Sequence, residues 1–122
     1  MSGIDFIADT NILIYFLEEN PAVKKYKDKF FAVSIITEIE LLGKKNLSEQ
    51  ELSIIRNVLD DCKIHPVSND IKDITIDIRR KYSIKIPDAI IAATSMYYDK
   101  PLLTADTDFS MIDDLKLVLI RL

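Results

Sequence analysis

Carboxylates and carboxamides recur in this sequence at the points where apolar runs end. Asp9-Thr10-Asn11 follows the run from Ile4 to Ala8, and Glu38 and Glu40 follow the run from Phe30 to Ser34. Thr104-Ala105-Asp106-Thr107-Asp108-Phe109 follows Leu102-Leu103, and Asp88 opens the apolar stretch that precedes it. No cysteine or histidine stands among them. An oxygen-only donor set of this kind suits a hard divalent cation such as Mg²⁺ or Mn²⁺. The rest of the composition narrows the chemistry. The single cysteine, Cys62, excludes a disulfide framework and a cysteine-based zinc site within the chain. The single histidine, His65, excludes a two-histidine acid–base pair. Two glycines, Gly3 and Gly43, exclude GxGxxG and the P-loop. With 16 basic and 20 acidic residues the formal charge is −4, so the chain is not a nucleic-acid binder that works by net charge alone.

Positioning these groups requires elements of alternating kind. At 122 residues, 48% hydrophobic and 30% charged, the expectation is one soluble globular domain over residues 1–122. The buried runs Ile4 to Ala8, Phe30 to Ser34, Lys63 to Val67, Leu102-Leu103 and Lys116 to Ile120 read as five strands. Helices are expected between them, from Asn11 to Glu19, from Pro21, from Ser34 to Lys45 and from Ser48 to about Cys62. Two more run from Ser68 to about Tyr82 and from Pro87 to about Tyr98. Ser48 with Glu51 three residues on forms a capping box, and Ile71, Ile74 and Ile78 share one helical face. Strand–helix alternation of this kind implies crossover connections and a mainly parallel sheet covered by helices on both faces. Sites in such sheets gather at the carboxyl ends of the strands, where the acids stand. The start, Met1-Ser2-Gly3-Ile4-Asp5, lacks a basic leader segment, and no apolar stretch reaches the ~20 residues of a membrane span. The expectation is a cytoplasmic protein with no membrane partner.

Each acid also has a local reading. Asp9 can cap the following helix, Asp88 can complement a helix dipole, and Asp106 and Asp108 can serve as turn residues. The helix after Pro87 is apolar nearly all round and so is expected to be buried, which asks for a partner for Asp88. On the helix after Ser34, Ile35, Ile36, Ile39 and Leu42 form the apolar stripe. Glu38 and Glu40 lie on its opposite margins, and periodicity does not choose between them. His65 reads as structural or surface, Cys62 as a small buried hydrophobe, and Tyr97-Tyr98 as a cap on a core or interface.

Four segments in order resemble the PIN domain family, and within it the small VapC-like toxins of type II toxin–antitoxin pairs. They are Ile7-Ala8-Asp9-Thr10-Asn11, Ile36-Thr37-Glu38-Ile39-Glu40-Leu41-Leu42-Gly43, Pro87-Asp88-Ala89-Ile90-Ile91-Ala92-Ala93-Thr94 and Leu103-Thr104-Ala105-Asp106-Thr107-Asp108-Phe109. The resemblance implies a three-layer α/β/α sandwich with a mainly parallel, about five-stranded sheet. Its pattern selects Glu40 over Glu38 and implies metal ligands at Asp9, Glu40, Asp88 and Asp106, with Asp108 binding directly or through water. Asn11 and Thr104 match the polar shell that orients ligands and water.

What the resemblance further implies is a Mg²⁺- or Mn²⁺-dependent endoribonuclease, with one or two ions, that hydrolyses RNA phosphodiesters by activated water. It also implies a homodimer and a VapB-like antitoxin that holds the enzyme inactive. Two charges 4 Å apart repel by about 1 kcal/mol in water and ~4 kcal/mol at an effective dielectric near 20, so gathered acids are expected to take up protons or a cation. RNA would be attracted by local cations: Lys24, Lys25, Lys27 and Lys29, or Lys44-Lys45, or Arg79, Arg80 and Lys81 with Lys85. The apolar helix from Asn11 suits an antitoxin groove, a dimer contact or plain burial. The competing readings are a non-toxin PIN nuclease in RNA processing or DNA repair and a non-catalytic PIN-like binding module. A dehalogenase-like phosphatase would need an acid at position 11, where Asn11 stands, and a receiver domain would need an acidic pair that is not suitably placed.

Overall fold

The computed structural model describes residues 3–122; Met1 and Ser2, which head the stretch read above for a leader, lie outside the described residues. Five short strands make one sheet: β1 (Phe6–Ala8), β2 (Phe31–Ser34), β3 (Lys63–His65), β4 (Leu102–Thr104) and β5 (Leu117–Leu119). Their spatial order is β3-β2-β1-β4-β5, and every neighbouring pair is parallel. The helices are α1 (Thr10–Leu17), α2 (Ile35–Leu42), α3 (Glu49–Asp60), α4 (Asn69–Lys81) and α5 (Ile86–Tyr98). The segment at Pro21, expected as a helix, is a 3-10 turn over Pro21–Tyr26, closed by Lys27 N–H on the Lys24 carbonyl at 3.3 Å. With β2 beginning at Phe31, the connection leaves little room for an α-helix, and short connectors commonly take the tighter winding. A second 3-10 turn spans Thr107–Met111.

Strand alternation divides the core. Ile7, Ala32 and Leu102 face α4 and α5 in one apolar cluster, which also holds Ile71, Ile78 and Ile91. Ala8, Val33 and Leu103 face the other way, packing with Ile12 and Leu13 of α1, Leu41 of α2 and Ile55 and Leu59 of α3. All six strand residues are fully buried. Successive side chains on a strand point to opposite faces, so a sheet buried on both sides reads as an unbroken apolar run. The three-layer α/β/α sandwich expected from the sequence is the fold observed. α3 carries the capping box: the Ser48 hydroxyl accepts from Glu51 N–H at 3.0 Å, and Glu51 reaches back to Ser48 N–H at 3.1 Å. Ala89 to Ser95 of α5 are buried without a break, which matches its composition.

A second expectation fails. On α2 the buried arc is Thr37 and Leu41, and Ile39 of the proposed apolar stripe is 59% exposed. The helix follows β2 directly from its cap Ser34 and wedges among α1, α3 and α5, so its rotation is set by three neighbours rather than by one core face. No helix of the described residues is long and apolar enough to cross a membrane.

Candidate active site

Asp9 follows β1 and caps α1. Its Oδ1 accepts Ile12 N–H at 3.0 Å, and its Oδ2 accepts the Thr104 hydroxyl. The second contact is a consequence of sheet register. Ala8 pairs with Leu103 on adjacent parallel strands, so the next residues along the chain, Asp9 just past β1 and Thr104 at the end of β4, stand side by side. Thr104 Oγ1 in turn accepts Asp106 N–H at 3.0 Å, and Asp106 Oδ1 accepts Asp108 N–H at 2.9 Å as the cap of the 3-10 turn. The local readings, Asp9 as a helix cap and Asp106 as a turn residue, are therefore correct. They are also incomplete, because the carboxylates stand in one another's fields.

Burial pushes the Asp9 carboxyl up; the Thr104 and Ile12 hydrogen bonds oppose this, and the charges of Asp106 and Asp88 add to it. Asp88, half-buried in the first turn of α5, is raised first by burial and then by Asp106 and Glu40. Lys85 pulls it down and Asp108 pushes it up. The glutamate that reaches the Asp88 field is thus Glu40. A second contact fixes its place: the Thr10 hydroxyl donates to Glu40 Oε1 at 2.5 Å. Thr10 and its neighbour Thr37, whose Oγ1 is 3.1 Å from that of Thr10, entered the sequence reading only as members of the family segments, and neither was assigned to the site. Their signal was positional: Thr10 directly follows Asp9, and Thr37 stands one helical turn before Glu40.

The structure brings Asp9, Glu40, Asp88, Asp106 and Asp108 into a shared electrostatic region at the carboxyl ends of β1, β2 and β4. No three acidic, cysteine or histidine side chains among the described residues are close enough together to enclose an ion. The donor set fits a hard divalent cation in kind, being all oxygen, and the upward pressure on two of its members is the pressure that a cation relieves. Asn11 is exposed on the first turn of α1, outside the Asp9–Thr104–Asp106 web. Among the cations, Lys85 lies beside Asp88, and Arg80 is exposed. Arg79 donates to the Ile84 carbonyl at 2.6 Å and so ties down the α4–α5 connection. His65 Nδ1 pairs with the Tyr98 hydroxyl at 2.7 Å, and its ring lies against Tyr97, a packed aromatic cluster. Burial pushes the half-buried Cys62 thiol up to about 11, which keeps it protonated and poorly nucleophilic.

The PIN domain family model matches residues 6–115. The chain belongs to the PIN domain family. Among solved structures it is similar to a chain of a toxin–antitoxin complex from Klebsiella pneumoniae, at 31% identity and a TM-score of 0.80, over 93% of this chain and 96% of that one. It shares its fold with VapBC2 from Rickettsia felis bound to a promoter DNA fragment, at 22% identity, TM-score 0.78, and coverage of 97% and 100%. The same holds for DNA-bound VapBC from Salmonella typhimurium, at 18% identity, TM-score 0.82, and coverage of 94% and 97%. Among curated proteins none matches this chain. The resemblance carried by the four sequence segments is borne out, since the PIN match runs through all of them.

Proposed function

We propose that this PIN domain protein is a Mg²⁺- or Mn²⁺-dependent endoribonuclease, the toxin of a VapBC-type pair, acting in the cytoplasm as a homodimer. The observation that carries the nuclease reading is the web in which Thr104 joins Asp9 to Asp106 at the strand ends of a PIN domain, with Asp88 in the field of Asp106, Glu40 and Asp108. Acids from separate elements that crowd one another at a strand edge suit a site whose ligand is a cation. The toxin reading draws on the 31% identity to a chain of a toxin–antitoxin complex.

Asp9, Glu40, Asp88 and Asp106 would hold one or two ions, with Asp108 adding a direct or water-mediated contact. Bound there, a divalent ion supplies positive charge to the scissile phosphate and acidifies water. The chain's own groups set the geometry. Thr104 and Ile12 N–H fix both oxygens of Asp9. Asp106 is held by its cap to the 3-10 turn. A neighbouring carboxylate would accept the proton that an attacking water must lose. Attack by water, rather than by the ribose 2′-hydroxyl, leaves a 5′-phosphate and a 3′-hydroxyl. Lys85 and Arg80, with Arg79 beside them, would meet the RNA backbone. A VapB-like antitoxin has apolar surface to cover on α1, where Ile14, Tyr15, Phe16 and Leu17 are only half-buried.

Cleavage of RNA by the purified protein should require Mg²⁺ or Mn²⁺, stop with EDTA, and disappear in Asp9→Asn and Asp88→Asn. Glu38→Gln should retain it. Cleavage that survives in Asp9→Asn, or that ignores EDTA, defeats the proposal.

A further inference from the structure

Thr37 is a fully buried polar residue on α2, packed where valine would fill the same space. A buried hydroxyl is costly unless it is hydrogen-bonded, so its partner matters. That partner is Thr10, at 3.1 Å, and Thr10 donates to Glu40 Oε1 at 2.5 Å. The direction of the chain follows from counting protons. Thr10 has one hydroxyl proton, and an ionised carboxylate can only accept. The proton therefore points to Glu40, and Thr37 is the donor to Thr10. The series runs Thr37 to Thr10 to Glu40, from the interior to the surface, with each bond polarising the next. Glu40 itself is exposed on α2. A glutamate so placed loses considerable rotamer freedom when held in one position, and a charge-assisted hydrogen bond is the strong kind that can hold it.

We propose that Thr37 and Thr10 are positioning residues: a two-hydroxyl relay that turns the Glu40 carboxylate toward Asp88 and makes this glutamate, not Glu38, a member of the acid set. The relay joins β1–α1 to α2, two elements that no backbone hydrogen bond connects at this point among the bonds described. Its consequence for metal affinity rests on the nuclease reading above; the positioning does not.

The test uses the full chain and the variants Thr10→Val, Thr10→Ser, Thr37→Val and Glu40→Ala, with two readouts. Carbon-13 relaxation reports the mobility of the Glu40 side chain without metal, and calorimetry reports Mn²⁺ affinity. Glu40 should be rigid in the wild type, mobile in Thr10→Val, and rigid again in Thr10→Ser. Mn²⁺ affinity should fall about 10-fold in Thr10→Val, in the range that outer-shell partners command, and recover in Thr10→Ser. Thr37→Val should shift both readouts the same way by less. In a Glu40→Ala background Thr10→Val should cost nothing further, because the group it positions is gone. A Glu40 side chain already mobile in the wild type, or unmoved by Thr10→Val, overturns the relay. So does a Mn²⁺ loss that persists in the Glu40→Ala background. A wild type that binds no Mn²⁺, yet whose Glu40 loosens in Thr10→Val, leaves the relay standing and removes the metal reading instead.

Discussion

Asp9 carries two opposed demands. As the cap of α1 it contributes about 1 kcal/mol to that helix, typical of an Asp cap. As a buried carboxylate beside Asp106 and Asp88 it is held above the ordinary aspartate value of 3.8. The sign of the pH dependence follows. Between the unfolded value and the raised folded one, the folded chain binds more protons, so stability falls as pH rises through that window. Above it the charge is a standing cost. Asp9→Asn can keep the Ile12 cap through its amide oxygen and removes the charge, while its amide nitrogen reverses the hydrogen bond to Thr104, whose hydroxyl oxygen can accept it. In EDTA at neutral pH this variant should melt higher than the wild type, and the gap should close as pH falls below 3.8. A melting temperature equal to or below that of the wild type at neutral pH refutes this account. The sequence exposed Asp9 clearly, since it ends an apolar run. It did not separate Glu38 from Glu40 by periodicity, because each flanks the buried arc. Only the PIN pattern chose, and the Thr10 hydroxyl and the Asp88 field give that choice a physical basis.

At the scale of elements, local chemistry was legible wherever it was self-contained. The capping box at Ser48 needs only residues 48–51, and it forms as the spacing predicts. Ser48→Ala should therefore lower stability by about 1 kcal/mol in chemical denaturation while sparing RNA cleavage, since α3 contributes none of the acids. A loss of cleavage at full folding would place α3 in the site. α2 was less legible. Its isoleucines suggested a core stripe, yet Thr37 and Leu41 are buried and Ile39 is exposed. Apolar residues mark a core face only when one face is covered, and α2 meets α1, α3 and α5. The Thr10 contact, which satisfies Thr37, lies 27 residues away in the chain. The Pro21 segment shows a related effect: proline and the Asn20 cap announce a helix start, while the short span before β2 decides its winding.

For the whole molecule, charge arrangement matters more than charge sum. The formal charge is −4, and five of the 20 acids, Asp9, Glu40, Asp88, Asp106 and Asp108, share one region at the carboxyl ends of the strands. Binding of RNA then depends on cations near that edge, Lys85 beside Asp88 among them. Arg80→Gln with Lys85→Gln should weaken RNA binding and reduce the slope of log affinity against log salt by up to ~1.4, at ~0.7 per contact for a single strand. An unchanged slope would remove this patch. Arg79 is left out of that pair, because its guanidinium holds the Ile84 carbonyl and its loss would disturb the α4–α5 connection.

Strand and helix alternation, the buried α5, the helix caps and the positions of Asp9 and Asp106 just past apolar runs were all determined by the chain's own order. They depend on neighbours a few residues apart and on periods of two and 3.6. The pairing of Asp9 with Thr104, the rotation of α2 and the Thr37–Thr10–Glu40 contact were decided only by the tertiary structure. They depend on strand register and on helices packed from three sides, which bring together groups 95, 27 and 30 residues apart. No local pattern encodes a distance of that kind.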